Sequence, residues 1–288
     1  MTETLRSLVA AELAEPVDPR VSAMAGAIAA LYPGAARAVL FYGSCLREKA
    51  LDGLMLDFYL IVSDYRAAYG RGWFALANRL IPPNVFPFEH EGLAAKYAVL
   101  STADFARLNG PEAGDVSVWA RFAQPSRLVW AKDEAARAEA VAAVARAAPT
   151  LLGLALPMGE GDLLDAWRRG FALTYRSELR AERQGRSQSI VDTDPARYRR
   201  FGEAALALAA SVPGAAGKWR RFRRRGKALS LIRLAKATTT YAGGVDYLAW
   251  KINRHAGTKI VVRPWQRRWP ILGALTLLPR LLRRGAIR

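Results

Sequence analysis

The chain has 288 residues, 52% of them hydrophobic and 24% charged, with a net charge of +18. That composition excludes a largely disordered chain, because there is enough apolar surface to offset chain entropy. One cysteine, Cys45, excludes a disulfide framework and any multi-cysteine zinc module, and two histidines, His90 and His255, leave little for a histidine-built metal site.

The charge is not spread evenly. Residues 218–288 carry nineteen Lys/Arg against one acid, Asp246, while residues 1–217 balance at twenty-four of each sign. A basic block of this kind expects a polyanion: an anionic membrane surface or nucleic acid. Residues 1–16 contain Glu3, Glu12 and Glu15 and lack the basic-then-apolar pattern of a secretory signal. A membrane-crossing helix needs about 20 predominantly apolar residues. The uncharged stretch 269–279 ends at Pro279 and Arg280, and 147–159 is interrupted by Pro149 and Pro157. The expected location is cytoplasmic, peripheral on the inner face of the cell membrane.

In chain order, apolar residues at three-to-four spacing predict helices over 2–14 and 20–31, the second stopped by Pro33-Gly34. ARAVLFY (36–42) reads as a strand ending at Gly43-Ser44, and LMLDFYLIV (54–62) as a buried strand interrupted by one charge, Asp57. A helix is expected over 65–80, a break at Pro82-Pro83, strands over 85–88 and 93–100, and a short helix over 102–108 capped by Ser101 or Thr102. Beyond residue 131 the character changes. Helices are expected over 132–148, 162–184, 195–212, 219–237 and 245–254, with a strand-like piece at 259–262 and a basic amphipathic segment over 266–284. The fold class is therefore α+β. An α/β domain with a mixed sheet (1–131) is followed by a helical domain (132–217) and a basic C-terminal region (218–288), expected to bind a membrane surface.

The chemistry centres on Tyr42-Gly43-Ser44 followed by Asp57. A charge inside an apolar strand is costly to bury and persists when it has a partner, of which a divalent cation is a strong one. A Gly-Ser turn lets backbone amides and a hydroxyl approach a phosphate. Phosphate cradle and metal carboxylate together suit nucleotidyl transfer. The plainer alternative is a common turn beside a paired structural aspartate.

This arrangement resembles the polymerase-β-type nucleotidyltransferase superfamily, marked by Gly-Ser and then a carboxylate pair on the next strand. The second carboxylate position holds Tyr59 here, and Cys45 stands where the family has a further glycine. One branch is similar over about 90 residues: the mitochondrial-type CDP-diacylglycerol synthases, or translocator assembly and maintenance proteins. The blocks carrying the resemblance are Phe41-Tyr42-Gly43-Ser44, Met55-Leu56-Asp57-Phe58, Lys96-Tyr97-Ala98-Val99-Leu100-Ser101-Thr102, and Ala120-Arg121-Phe122 with Pro125. Trp-His and His-Tyr-Ser elements associated with the mitochondrial proteins are lacking, and a compact bacterial relative fits this pattern.

The resemblance implies a nucleotidyltransferase-like head and a Mg²⁺-dependent phosphatidate cytidylyltransferase, converting CTP and phosphatidic acid to CDP-diacylglycerol and pyrophosphate. It implies that Asp57 and Lys96 are catalytic, that Gly43, Ser44 and Arg121 bind the nucleotide, and that Asp57 ligates Mg²⁺. A second ligand is expected nearby, and Glu89 is the first choice, ahead of Glu91 and Asp64. Tyr175, Arg176 and Arg180 share a helix and are candidates for the lipid phosphate, with ion pairing to Glu178 or Glu182 as the alternative. No triad partner is evident for Cys45, and His90 reads as a loop polar residue.

Tryptophan and arginine interleave in the tail, which suits either nucleic acid or a bilayer surface. The leucines and arginines of 269–288 favour an interfacial helix. Two other functions stay open: a nucleotidyltransferase acting on RNA or another acceptor, and a degenerate, non-catalytic nucleotidyltransferase fold that binds nucleotide or lipid.

Overall fold

A computed structural model of the protein describes residues 4–48, 51, 53–70, 72–178, 186–237 and 262–265. Five strands form one mixed sheet: β1 (Ala36–Tyr42), β2 (Met55–Val62), β3 (Asn84–His90), β4 (Leu93–Ser101) and β5 (Ser126–Ala131). Their order is β3-β4-β2-β1-β5, with β2 and β4 parallel and every other pair antiparallel. The central strands β2 and β4 are covered on both faces, which is why they read as nearly unbroken apolar runs. Pro87 lies on β3, an edge strand, where its missing N–H breaks no interior ladder.

Thirteen α-helices are described: α1 (Leu5–Leu13), α2 (Pro19–Ala30), α3 (Ser44–Glu48), α4 (Tyr65–Tyr69), α5 (Trp73–Leu80), α6 (Thr102–Asn109), α7 (Trp119–Phe122), α8 (Glu134–Val144), α9 (Ala147–Ala155), α10 (Leu163–Ser177), α11 (Arg186–Thr193), α12 (Pro195–Leu206) and α13 (Ala215–Ala237). Side-chain caps fix many of the N-termini. Ser101 accepts from the Asp104 amide on α6, Asp133 from Ala136 on α8, and Asp162 and Asp165 form a reciprocal capping box on α10.

The α+β expectation agrees with this architecture. The expected helix over 65–80 is two helices, α4 and α5, because Gly70 takes φ +68° after Tyr69. Strand β5 and the helices α3, α7 and α11 were not anticipated, the helix expected over 162–184 ends at Ser177 where Glu178 turns extended, and the helical run after 132 divides between α8 and α9. The expected elements over 245–254 and 266–284 lie outside the described residues, as does 259–261; Val262 is described.

Each sheet face has its own core. On one, Val39, Phe41, Phe58, Leu60, Tyr97 and Val99 pack against Val21, Met24 and Ile28 of α2. On the other, Leu40, Tyr59, Ile61 and Leu100 belong to a larger cluster with Trp119, Leu151, Trp167, Tyr198 and Trp219. The second cluster runs without interruption from the sheet into α9, α10, α12 and α13, so residues assigned by sequence to three regions share one core.

Among the described residues one stretch, Glu134–Met158, is long and apolar enough to cross a membrane. It comprises α8, α9 and a following 3₁₀ turn, and Leu151, Leu152, Leu154 and Ala155 on it are core residues.

Candidate functional site

Strand register sets the site. Asp57 on β2 is paired with Tyr42 on β1 and with Lys96 on β4, so the three side chains emerge side by side on the face that carries the larger core. They sit at the end of that face where the next residues outward, Pro87 and Glu89 on β3, are exposed. Tyr59, two residues along β2, is turned to the same face but lies inside the core. Its ring packs at a tilt, 5.2 Å from both the Tyr42 and Phe122 rings, and is 3% exposed. The position two residues after Asp57 is thus filled by packing rather than by a second carboxylate.

The Gly-Ser turn meets Asp57 directly. Gly43 adopts φ +99°, and a Cβ placed on it would stand 3.1 Å from Asp57 Oδ2. Glycine therefore serves the backbone conformation and the close approach together. Ser44 begins α3, and Cys45 is buried in the opposite core with its Sγ directed at the Met55 carbonyl, 3.6 Å away. Asp57 Oδ1 lies 3.1 Å from Lys96 Nζ, yet no described donor meets it in hydrogen-bond geometry. The side chains of Asp57 and Lys96 are 21% and 35% exposed, so the pair is open to solvent on one side.

Arg121, on α7, faces the same cluster. It donates to the Ser117 carbonyl and lies 3.3 Å from Glu178 Oε1, at the end of α10. Burial opposes its charge, but Glu178 with the Tyr59 and Tyr42 hydroxyls holds it protonated, well above the ordinary arginine value. Burial first, then the negative field of Asp57, pushes the Tyr42 phenol well up, so it stays protonated. Asp115 pairs with Arg233 of α13 at 3.0 Å and accepts from the Ser117 amide at 2.8 Å. Burial raises the Asp115 carboxyl, but Arg233 and Ser117 outweigh it and hold it below the usual carboxylate range. The Arg233 and Asp115 charges also act on the Tyr59 hydroxyl.

The structure thus gathers Gly43, Asp57, Lys96 and Arg121 at one end of one sheet face, with Ser44 in the adjoining turn. Glu89 is not gathered with them. It lies on the same face but two strands away from Asp57 and opposite Ala94, about 12 Å away by strand spacing and rise, with Lys96 between. Asp64 is engaged as the α4 cap, accepting from the Arg66 and Ala67 amides. Glu91 occupies the β3–β4 turn with φ +49°. Among the described residues no three of His, Cys, Asp and Glu converge on a point that would hold a metal ion.

Tyr175 packs half-buried on the larger core, Arg176 is exposed on α10, and Arg180 lies outside the described residues. Sequence reasoning weighed Glu178 only as a partner for Arg176 or Arg180; in the structure it also faces Arg121, 3.3 Å away. Asp115 and Arg233 were not singled out. They are 118 positions apart, and no local pattern pairs them.

No protein-family model and no curated protein matches this chain.

Proposed function

We propose that the chain is a nucleotidyltransferase that moves CMP from CTP to the phosphate of phosphatidic acid, releasing pyrophosphate. One observation carries the reading: the only charged side chain of β2 stands against the Gly43-Ser44 turn, with Gly43 leaving no atom between them. A phosphate held by that turn lies beside a carboxylate.

In the reaction a phosphate oxygen of phosphatidic acid forms a bond to the α-phosphorus of CTP. The bond from that phosphorus to the bridging oxygen of the β-phosphate breaks, and pyrophosphate leaves with the electron pair. The attacking oxygen is already ionised, so no general base is required. Two anions must be brought together, and neutralisation with alignment supplies most of the rate. The turn at Gly43-Ser44 binds the triphosphate. Lys96, a half-exposed ammonium, moves between the Asp57 carboxylate and a nucleotide phosphate oxygen. Arg121, kept charged and held by Glu178 and Ser117, contributes a fixed positive field. Mg²⁺ commonly uses one or two carboxylates together with substrate phosphates, so Asp57 alone fits an ion that arrives with the nucleotide. That ion would spread the triphosphate charge.

A second reading is favoured by the Asp57–Lys96 contact. A carboxylate with a resident counter-charge suits a fold that binds nucleotide or lipid without turnover. Labelled CTP incubated with Mg²⁺, phosphatidic acid liposomes and a parallel RNA pool separates the readings. Label entering the lipid phase supports the proposal, label entering RNA replaces it with the RNA-directed enzyme, and label in neither leaves the binding protein.

A further inference from the structure

Away from Asp57, the first turns of α13 border a cavity of about 660 Å³ against the segment 111–114. Its wall carries Lys218, Arg221 and Arg225, and an adjoining cavity of about 380 Å³ shares both arginines and adds Arg220 and Arg224. Among the described residues, none of these four arginines has an ion-pair or hydrogen-bond partner. Glu112, the carboxylate in the wall, is already engaged by Arg146 through both oxygens at 2.7 Å. Like charges three and four residues apart on a helix repel one another. Such a cluster is relieved by a bound anion.

The groups are also placed rather than merely present. A Cβ on Gly114 would stand 3.1 Å from the Arg225 guanidinium, so that plane rests directly on the backbone. Lys218 donates to the Pro111 carbonyl at 2.9 Å and lies 5.9 Å from the centre of the Phe222 ring. Guanidinium groups offer a planar fork that matches two phosphate oxygens at once.

We propose that this cavity binds a ligand bearing phosphate groups with two or more negative charges. The source is either a soluble oligophosphate or the phosphomonoester headgroup of a lipid; the chemistry recognised is the same. The proposal does not depend on catalysis at Asp57, since binding is read without turnover. The segment that forms the wall continues into Asp115, which pairs with Arg233, so the occupied cavity adjoins the group of charges behind Tyr59.

The test uses the full chain at physiological ionic strength. Tripolyphosphate binding is measured by calorimetry, and vesicle binding by co-sedimentation with phosphatidylcholine alone or with added phosphatidic acid. Two variants remove the same charge from the same helix: Arg221→Ala with Arg225→Ala in the wall, and Arg223→Ala with Lys227→Ala, both exposed and outside it. The wall variant is expected to lose about tenfold or more in at least one arm, as expected for charge-assisted forks, and the outer variant less than about threefold. The arm that shows the loss names the source. Equal loss in both variants, or no saturable binding in either arm, overturns the proposal. If circular dichroism shows the alanine variant unfolded, Arg221→Lys with Arg225→Lys decides. That variant keeps the charge but not the fork, so wild-type affinity in both arms overturns the forked site.

Discussion

Asp57 and Tyr59 point to the same face of one strand, but their surroundings give them opposite roles. Asp57 is at the open end, beside an ammonium that can follow it into water, so its removal leaves Lys96 free to snorkel. Asp57→Ala is expected to cost about 1 kcal/mol of stability, as for a partly exposed pair, and to lower the proposed CMP transfer by about 10²-fold or more. Urea unfolding and the labelled-CTP assay read the two effects separately. Tyr59→Asp should do the reverse of restoring a site. It buries a carboxylate between Tyr42 and Phe122 and is expected to destabilise by about 3 kcal/mol or more in urea, whereas Tyr59→Phe keeps the ring packing.

Lys236 gives a pH signature. Its Nζ donates to the carbonyls of Ile81 and Pro83, and burial, with the nearby Arg233 charge, lowers its pKa from 10.5 to about 7. Between those values the unfolded chain holds the proton and the folded chain does not, so this residue makes stability rise with pH from about 7 towards 10.5. Below pH 7 both states are protonated and the penalty is complete. The rise in urea midpoint between pH 7 and 9 should be flatter in Lys236→Met than in the wild type.

At the scale of elements, the joints are specific and few. Arg197 of α12 reaches Glu12 of α1 through two hydrogen bonds, with both side chains about nine-tenths buried. The guanidinium also lies 4.9 Å and 4.3 Å from the Tyr198 and Phe201 ring centres. Glu12→Ala leaves a buried cation unpaired and is expected to cost about 3–5 kcal/mol, read from the urea midpoint. Helix α13 meets α10 at Gly226, where an added Cβ would fall 2.1 Å from the Ser177 carbonyl oxygen. Backbone cannot yield as a side-chain tip does. Gly226→Ala should therefore loosen α13 from α10, speeding hydrogen exchange over 215–237 while the sheet stays protected.

For the whole molecule, the core is the unit of cooperativity. Trp119 on α7, Trp167 on α10 and Trp219 on α13 belong to the cluster that covers the β1–β2–β4 face. Fluorescence and circular dichroism should report one coincident unfolding transition. A fragment ending at residue 131 keeps α6 and α7 but strips Trp119 of Trp219 and Phe222, and is expected to lack a cooperative transition when melted alone.

The local rules of chain conformation were legible in the sequence. Apolar runs, caps and breakers located four of the five strands and most helices, since these signals act within a few residues. They failed where a short element depends on its neighbours. β5 carries charge at Arg127 and is a strand because β1 offers it an edge, and α7 is a four-residue turn held in the core. The Gly43–Asp57 approach was expected from a Gly-Ser turn and a charge in an apolar strand, but the connection over 43–54 contains α3 and does not fix the register; pairing of β1 with β2 sets Asp57 opposite Tyr42. Contacts between distant segments were not. That Arg121 meets Glu178, that Arg233 meets Asp115, and that the basic helix α13 closes onto 111–114 followed only from how the helices stack on the sheet. Pairing across a hundred residues leaves no periodicity in the chain, and it is chosen by the packing of one shared core.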